Sequence, residues 1–264
     1  MDFLSQIIAS KRARIEAAKR AVSFERIRED ARDARIGAKA YALSAALEGG
    51  DRINIIAEFK RRSPSKGAIR ENADAADTAR SYQSAGAAGI SVLTEADYFG
   101  GSLDDLRAVR QAVSIPILRK DFIVDDYQVY ESAAAGADAL LLIVAALDDE
   151  TLARLLRLTE TELGLDALVE VHIKAEMERA VAGGAKLIGV NNRDLRTFAV
   201  STKTSLDLAR FAPADAVLVS ESGLTPNDVR GLQAVGYKGF LVGETLMRAD
   251  DPERQLQLFR HPVE

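Results

Sequence analysis

Cysteine is absent from the 264-residue sequence, and that absence excludes disulfides, thiolate metal sites and a cysteine nucleophile together. Histidine is nearly absent. His172 and His261 are the two present, and His261 lies in the C-terminal tail, so no metal site is predicted. His172 is expected to pack or to face solvent rather than to catalyse. A surplus of positive charge is also missing: the formal net charge is -5 with 28% charged residues, which argues against a nucleic-acid partner. An anionic ligand must therefore be drawn in by a local basic ring rather than by the field of the whole chain. No apolar run approaches the length of a membrane span. The opening Met1-Asp2-Phe3-Leu4-Ser5-Gln6-Ile7-Ile8 is too short in its apolar run, and too soon acidic, for a secretory signal. A soluble cytoplasmic protein without a membrane partner is expected, its oligomeric state open with a monomer favoured.

What is present is a large apolar fraction, 47%, enough for one α/β barrel or two small domains. Residues 1–48 predict helix, with Phe3, Leu4, Ile7 and Ile8 at helical spacing. The basic stretch that follows, with Lys11, Arg12, Arg14, Lys19 and Arg20, is expected to be a solvated face. Gly49-Gly50 ends this prelude. Beyond it one pattern repeats: Ala85-Gly86-Ala87-Ala88-Gly89-Ile90-Ser91-Val92 is echoed from Ala135, from Gly183 and from Val235, with the aligned glycines 86, 136, 184 and 236 spaced 50, 48 and 52 apart. A glycine between a helical segment and an apolar run is a helix stop feeding a strand. Each period holds two βα units of roughly 25 residues. Further strands are predicted at Asn54–Phe59, Ile115–Arg119, Ala167–Val171 and Val217–Ser220. Four periods of two units predict a single (β/α)8 TIM barrel over 49–264 with an N-terminal helical extension, one domain overall. An open doubly wound sheet is the alternative, but its glycine-rich dinucleotide fingerprint after the first strand is missing.

The chain is organised around Ile55-Ile56-Ala57-Glu58-Phe59-Lys60-Arg61-Arg62-Ser63-Pro64-Ser65. Strand alternation puts Ile56, Glu58 and Lys60 on one face and Ile55, Ala57 and Phe59 on the other. A carboxylate and an ammonium at a buried strand end must pair, face a wet cavity, or both. In this type of barrel the site lies at the C-terminal strand ends. Those ends carry Thr94-Glu95, Arg119-Lys120-Asp121, Glu170, Asn191-Asn192-Arg193-Asp194, Glu221-Ser222-Gly223 and Gly243-Glu244. Such a ring predicts a functional site rather than scattered ion pairs. The loops after strands seven and eight, with Ser222-Gly223 and Gly243-Glu244, are by position a phosphate site. The Glu244 side chain is expected to point away while its amide contributes.

The sequence resembles the indole-3-glycerol-phosphate synthase family over essentially its whole length. The resemblance rests on Ile56 to Ser65, Ser91-Val92-Leu93-Thr94-Glu95, Tyr98-Phe99-Gly100-Gly101-Ser102, Leu118-Arg119-Lys120-Asp121-Phe122, Asn191-Asn192-Arg193-Asp194-Leu195 and Glu221-Ser222-Gly223. It implies a carboxy-lyase of tryptophan biosynthesis that converts 1-(2-carboxyphenylamino)-1-deoxyribulose 5-phosphate to indole-3-glycerol phosphate, carbon dioxide and water. Lys120 matches the general acid of ring closure, and Glu170 with Lys60 the acid–base pair of dehydration. Lys60 is also expected to attract the substrate carboxylate. Glu58 matches a catalytic-site glutamate expected to orient the lysines, while Asn191 and Glu221 match polar contacts to substrate hydroxyls or the reacting centre. Ser63 and Arg193 match substrate contacts, and Phe99, Phe122 and Leu141 the apolar wall for the aromatic ring. Phosphate falls to Ser222, Gly223, Gly243 and Glu244. The resemblance implies no cofactor, and the fused isomerase domain of some relatives is expected to be absent because the chain stops at Glu264.

Three other readings follow from the same residues. A barrel isomerase for phosphorylated ribulose compounds would share the phosphate site, but the phosphoribosylanthranilate isomerase type relies on a cysteine base. A lysine aldolase would use Lys120 in a Schiff base. A non-catalytic barrel would dock a partner through its N-terminal helices, and would have no use for Lys120 and Glu170.

Overall fold

Eight strands close into a parallel barrel: Asn54–Phe59, Gly89–Leu93, Ile117–Lys120, Ala139–Ile143, Asp166–Val171, Leu187–Asn191, Val217–Glu221 and Tyr237–Val242, with the first strand paired to both the second and the eighth. The computed structural model describes residues 3–49, 52–194 and 197–262. Met1, Asp2, Gly50, Leu195 and Glu264, which enter the readings above, lie outside the described residues. Ordinals below refer to these eight strands in chain order. A short hairpin, Arg62–Ser63 with Gly67–Ala68, forms the loop after the first.

Alternation along the strands sorts the core into two layers. Ile56, Leu118, Leu141, Leu168, Val219 and Leu241 fill the barrel, while Ile55, Ala57, Phe59, Ile90, Leu140 and Val169 pack outward under the helices. The helices begin where the sequence offers a cap. Asp74, Ser102, Asp125 and Asp148 each accept a backbone N–H from the first turn that follows. Gly86, Gly136, Gly184 and Gly236 all have positive φ, between 83 and 107°. The repeat therefore marks the left-handed turn that stops each helix and feeds the next strand. The third strand begins later than predicted, at Ile117 rather than Ile115, because Pro116 has no N–H to give to the ladder.

The prelude divides into three helices, α1 (Phe3–Ala21), α2 (Phe24–Arg35) and α3 (Ala42–Leu47). Helix α3 plugs the N-terminal end of the barrel. Leu43 and Leu47 join the interior cluster, and Asp166 Oδ2 accepts the amides of Leu43 (2.8 Å) and Ser44 (3.1 Å). Helix α2 lies on the flank, where Phe24 meets Tyr130 edge to face at 5.4 Å. Helix α1 lies at the opposite end from α3, over the C-terminal strand ends, with Phe3, Leu4 and Ile7 facing the cavity there.

The expected solvated basic face on α1 is corrected by this placement. Lys11 shares the stripe of Phe3 and Ile7 at four-residue spacing, is buried, and pairs with Asp121 at 2.6 Å. Arg14 pairs with Asp97, which also accepts from Ser10 at 2.6 Å, and Lys19 with Asp125 at 2.8 Å. Arg12 and Arg20 remain exposed. Among the described residues no helix is long and apolar enough to cross a membrane.

Candidate active site

A cavity of about 550 Å³ opens at the C-terminal ends of the strands. Its floor is charged. Glu58 projects inward from the first strand, Lys120 from the third, Glu170 from the fifth, Asn191 from the sixth and Glu221 from the seventh; Lys60 follows the end of the first. Alternation explains why each side chain points inward rather than into the helical layer. Lys120 Nζ lies 2.8 Å from Glu221 Oε2 and 3.2 Å from Glu170 Oε2. Lys60 Nζ lies 2.5 Å from Glu58 Oε1. Glu58 thus both pairs and faces the cavity, at 3% exposure.

Burial by itself would lower the Lys120 pKa, but Glu221, Glu170 and Glu58 outweigh it and hold the ammonium well above the usual lysine range. The two carboxylates beside it separate. Burial would raise Glu170, yet Lys120 and His172 override it and hold the group far below the usual carboxylate range. Glu221 moves the other way: burial raises it to about 7, with Lys120 pulling down and Glu170 and Glu58 pushing further up. One carboxylate is therefore firmly ionised and the other holds a proton near neutrality, the kind of divergence that assigns acid and base roles.

Two glycines make room for these carboxylates. A Cβ on Gly189 would fall 2.2 Å from Glu221 Oε1, and one on Gly243 would fall 2.1 Å from Glu58 Oε1. Gly243 is thus tied to the charged floor as well as to the loop. A glycine inside a strand is the sequence signal for such a close approach, and Gly189 carried it.

On one side of the floor Phe99 and Phe122 line the cavity with centroids 6.3 Å apart, together with Leu141. The loop holding Phe99 is fixed by buried Glu95, whose carboxylate accepts the amides of Asp97, Tyr98 and Phe99. Ser63 also faces the cavity, and its buried Oγ has no hydrogen-bond partner among the described residues. Arg193 reaches the rim and donates to Phe198 O at 3.3 Å. On the far side lie Ser222, Gly223, Gly243 and Glu244. Ser222 and Gly223 have φ of 69° and 70°, an uncommon left-handed pair for which serine incurs strain. The Glu244 carboxylate accepts from Arg248 at 3.1 Å, turned along its own short helix. All fifteen residues singled out from the sequence line this one cavity.

Several residues at or behind the site were not assigned a role from sequence. Asp121, next to Lys120, accepts from Thr94 Oγ1 (2.7 Å), from Arg119 (3.1 Å) and from the Phe122 amide (2.8 Å), besides pairing with Lys11. His172, expected to pack or to face solvent, packs against the site. Its ring lies between Glu170 and Glu176, at 3.3 Å and 3.1 Å.

A family model described as indole-3-glycerol phosphate synthase matches residues 4–259. The chain belongs to the indole-3-glycerol phosphate synthase family. With that membership it is an enzyme of tryptophan biosynthesis, a carboxy-lyase. A protein of that name from Carboxydothermus hydrogenoformans is 46% identical over 261 residues, covering 97% of this chain and 98% of its own. One from Nocardioides sp. is 58% identical over 201 residues, covering 76% and 77%. Among solved structures, a 3-hexulose-6-phosphate synthase superposes with a TM-score of 0.62 at 15% identity, covering 80% of this chain and 100% of that one. The last likeness is one of fold alone. The family match covers the prelude from residue 4 as well as the barrel, so Leu4 and Ile7 of α1, which line the cavity, lie within it.

Proposed function

We propose that the chain closes, decarboxylates and dehydrates 1-(2-carboxyphenylamino)-1-deoxyribulose 5-phosphate, with its residues divided as follows. The Lys120 ammonium protonates the ketone oxygen as the carboxylate-bearing ring carbon attacks the ketone carbon. Loss of carbon dioxide restores the aromatic ring, and loss of the new hydroxyl as water, with removal of a proton from the ring precursor, completes the indole. Starting from the ionised carboxylate, one proton is taken up in each turnover. Glu170 is the ionised base, and Lys60, with Glu58 holding it, meets the substrate carboxylate and assists departure of water. Glu221, protonated part of the time near neutrality, adds a second acid. Asn191, Ser63 and Arg193 contact substrate oxygens, and Phe99, Phe122 and Leu141 hold the aromatic ring. Ser222, Gly223, Gly243 and the Glu244 amide take the phosphate, which the left-handed Ser222-Gly223 turn supports.

The observation that carries this reading is the Lys120 ammonium held between Glu170 and Glu221, with an aromatic wall on one side of it and glycine loops on the other. A general acid starts its cycle charged, and two carboxylates favour that state. The Schiff-base reading needs a neutral amine, which the same carboxylates oppose. The partner-docking reading is disfavoured because α1 is engaged with its own barrel through Lys11 and Phe3. Cytoplasmic location, a monomeric state, a small phosphorylated substrate and no nucleic-acid or membrane partner complete the proposal. Purified protein incubated with the substrate, without added metal or cofactor, is expected to develop indole fluorescence; no signal at any substrate concentration overturns it.

A further inference from the structure

His172 takes no part in the assignments above, yet it touches the carboxylate they treat as the base. Glu170 is the next-to-last residue of the fifth strand, and His172 follows the strand end two residues on, on the same side. The ring Nε2 lies 3.3 Å from Glu170 Oε1, while Glu170 Oε2 faces Lys120. On the other side of the ring, Nδ1 lies 3.1 Å from Glu176 Oε2. The same oxygen accepts the His172 backbone N–H at 2.6 Å. One carboxylate oxygen thus fixes both the backbone and the ring of His172.

Glu176 is in the first turn of the helix Lys174–Ala182, where a carboxylate reaching back to a preceding amide steadies a helix start. That capping role explains the contact with the backbone. It does not explain a ring turned so that both nitrogens face carboxylates: Nδ1 is hydrogen-bonded to Glu176, while Nε2 lies within ion-pair distance of Glu170 Oε1 without hydrogen-bond alignment, a setting that favours the charged imidazolium. Burial acts against that charge, but the two glutamates override it and raise His172 to about 10. The other charges that bear on Glu170 and His172 are Lys120 from the third strand and, through Lys120, Glu221 and Glu58 from the seventh and first. Lys174, on the same helix, pairs outward with Glu178.

We propose that His172, anchored by Glu176, is a positioning residue for catalysis: its imidazolium holds Oε1 of Glu170 and so presents Oε2 to Lys120 and the substrate. This rests on Glu170 being the base. Without the anchor, the Glu170 side chain gains rotational freedom at the end of a strand, and misplacement of a reacting group on the order of 1 Å can lower a rate by about 10²-fold. Removal of the neighbouring cation also makes the carboxylate easier to protonate, so the acidic limb of the kcat profile moves to higher pH.

The test measures kcat and KM against pH for Glu170→Gln, His172→Phe, His172→Gln, Glu176→Gln and the double variant Glu170→Gln/His172→Phe. Glu170→Gln is expected to lose roughly 10²–10⁴-fold in kcat; normal turnover there overturns the assignment of the base, and the inference with it. His172→Phe is expected to lose roughly 10- to 100-fold in kcat with KM unchanged, and to shift the acidic limb upward. His172→Gln keeps a donor without the charge. It is expected to recover most of kcat while retaining the shifted limb. Adding His172→Phe to Glu170→Gln is expected to cause no further loss. An unmoved limb and full turnover in His172→Phe, or a loss in the double variant equal to the product of the two single losses, overturns the positioning role. If His172→Phe does not fold, Glu176→Gln, which keeps the ring and frees its far side, is expected to move kcat and the limb in the same directions by less; no movement overturns the inference.

Discussion

The ammonium of Lys11 in the first helix lies 2.6 Å from Oδ1 of Asp121, the residue that follows Lys120. Asp121 is buried, which would raise its pKa, but Arg119 and Lys11 override this and keep it ionised. The helix over the cavity is thereby joined to the strand end that carries the proposed acid. Lys11→Met removes the charge but keeps the apolar stem. Asp121 retains Arg119, Thr94 and the Phe122 amide, so a loss of about 1–3 kcal/mol in stability is expected. A rise in KM is expected to accompany it, because Phe3, Leu4 and Ile7 line the cavity from the same helix. Chemical denaturation and steady-state kinetics check both, and an unchanged KM in the folded variant would separate the helix from substrate binding.

The phosphate loop is better probed at Ser222 than at Gly243. A side chain at Gly243 would strike the Glu58 carboxylate, so its loss of activity would not be specific to phosphate. Ser222 has φ of 69°, a conformation that is unfavourable by about 1–2 kcal/mol for a residue with a Cβ. Ser222→Gly relieves that strain and removes the hydroxyl. The variant is expected to melt at the same or a higher temperature, yet to show a higher KM and weaker competition by inorganic phosphate. Equal inhibition of parent and variant would move the phosphate site elsewhere.

Glu221 sets a pH signature in stability. Its folded pKa, raised mainly by burial to about 7, lies above the ordinary carboxylate value of about 4.3. Between those values the native state binds more protons at this group than the unfolded chain does. The contribution of Glu221 to stability therefore falls as pH rises through that window and levels off above it. Glu221→Gln removes the titration. Urea denaturation from pH 5 to pH 8 is expected to show the variant gaining on the parent until about pH 7; parallel curves would contradict the raised value.

Lys120→Ala is expected to lose roughly 10²–10⁴-fold or more in turnover with a smaller change in substrate affinity. The substitution is also expected to cost stability, unlike that of a purely catalytic lysine without buried partners. Removing the ammonium leaves Glu170 and Glu221 buried without the cation between them. Thermal stability is expected to drop, and more above pH 7 than below it, where Glu221 takes up a proton. Borohydride with substrate is expected to trap no adduct on Lys120 in the parent protein. A trapped adduct, or normal turnover in the variant, defeats the assignment of Lys120 as the acid.

By itself the sequence determined whatever depends on neighbours along the chain. Strand alternation put Glu58 and Ile56 on one face and Phe59 on the other, Asp74 and Ser102 capped the helices after them, and the repeated glycines marked helix stops whose positive φ only glycine adopts freely. Eight such units lead to one barrel, and the barrel rule points to the strand ends, so the charged floor and the glycine loops were legible in the sequence, while the aromatic wall came from the family resemblance and the α1 lining from neither. The tertiary structure alone decided the pairing. Lys120 meets Glu221 across 101 residues and Glu170 across 50, because only barrel closure brings distant strand ends within ion-pair reach, whereas the Lys60–Glu58 pair is local to one strand end. The same closure buried Lys11 and made Gly189 the space that Glu221 occupies. It also set the proton affinities, since burial and opposing charge act through space: the same residue type is firmly ionised at Glu170 and half protonated near neutrality at Glu221.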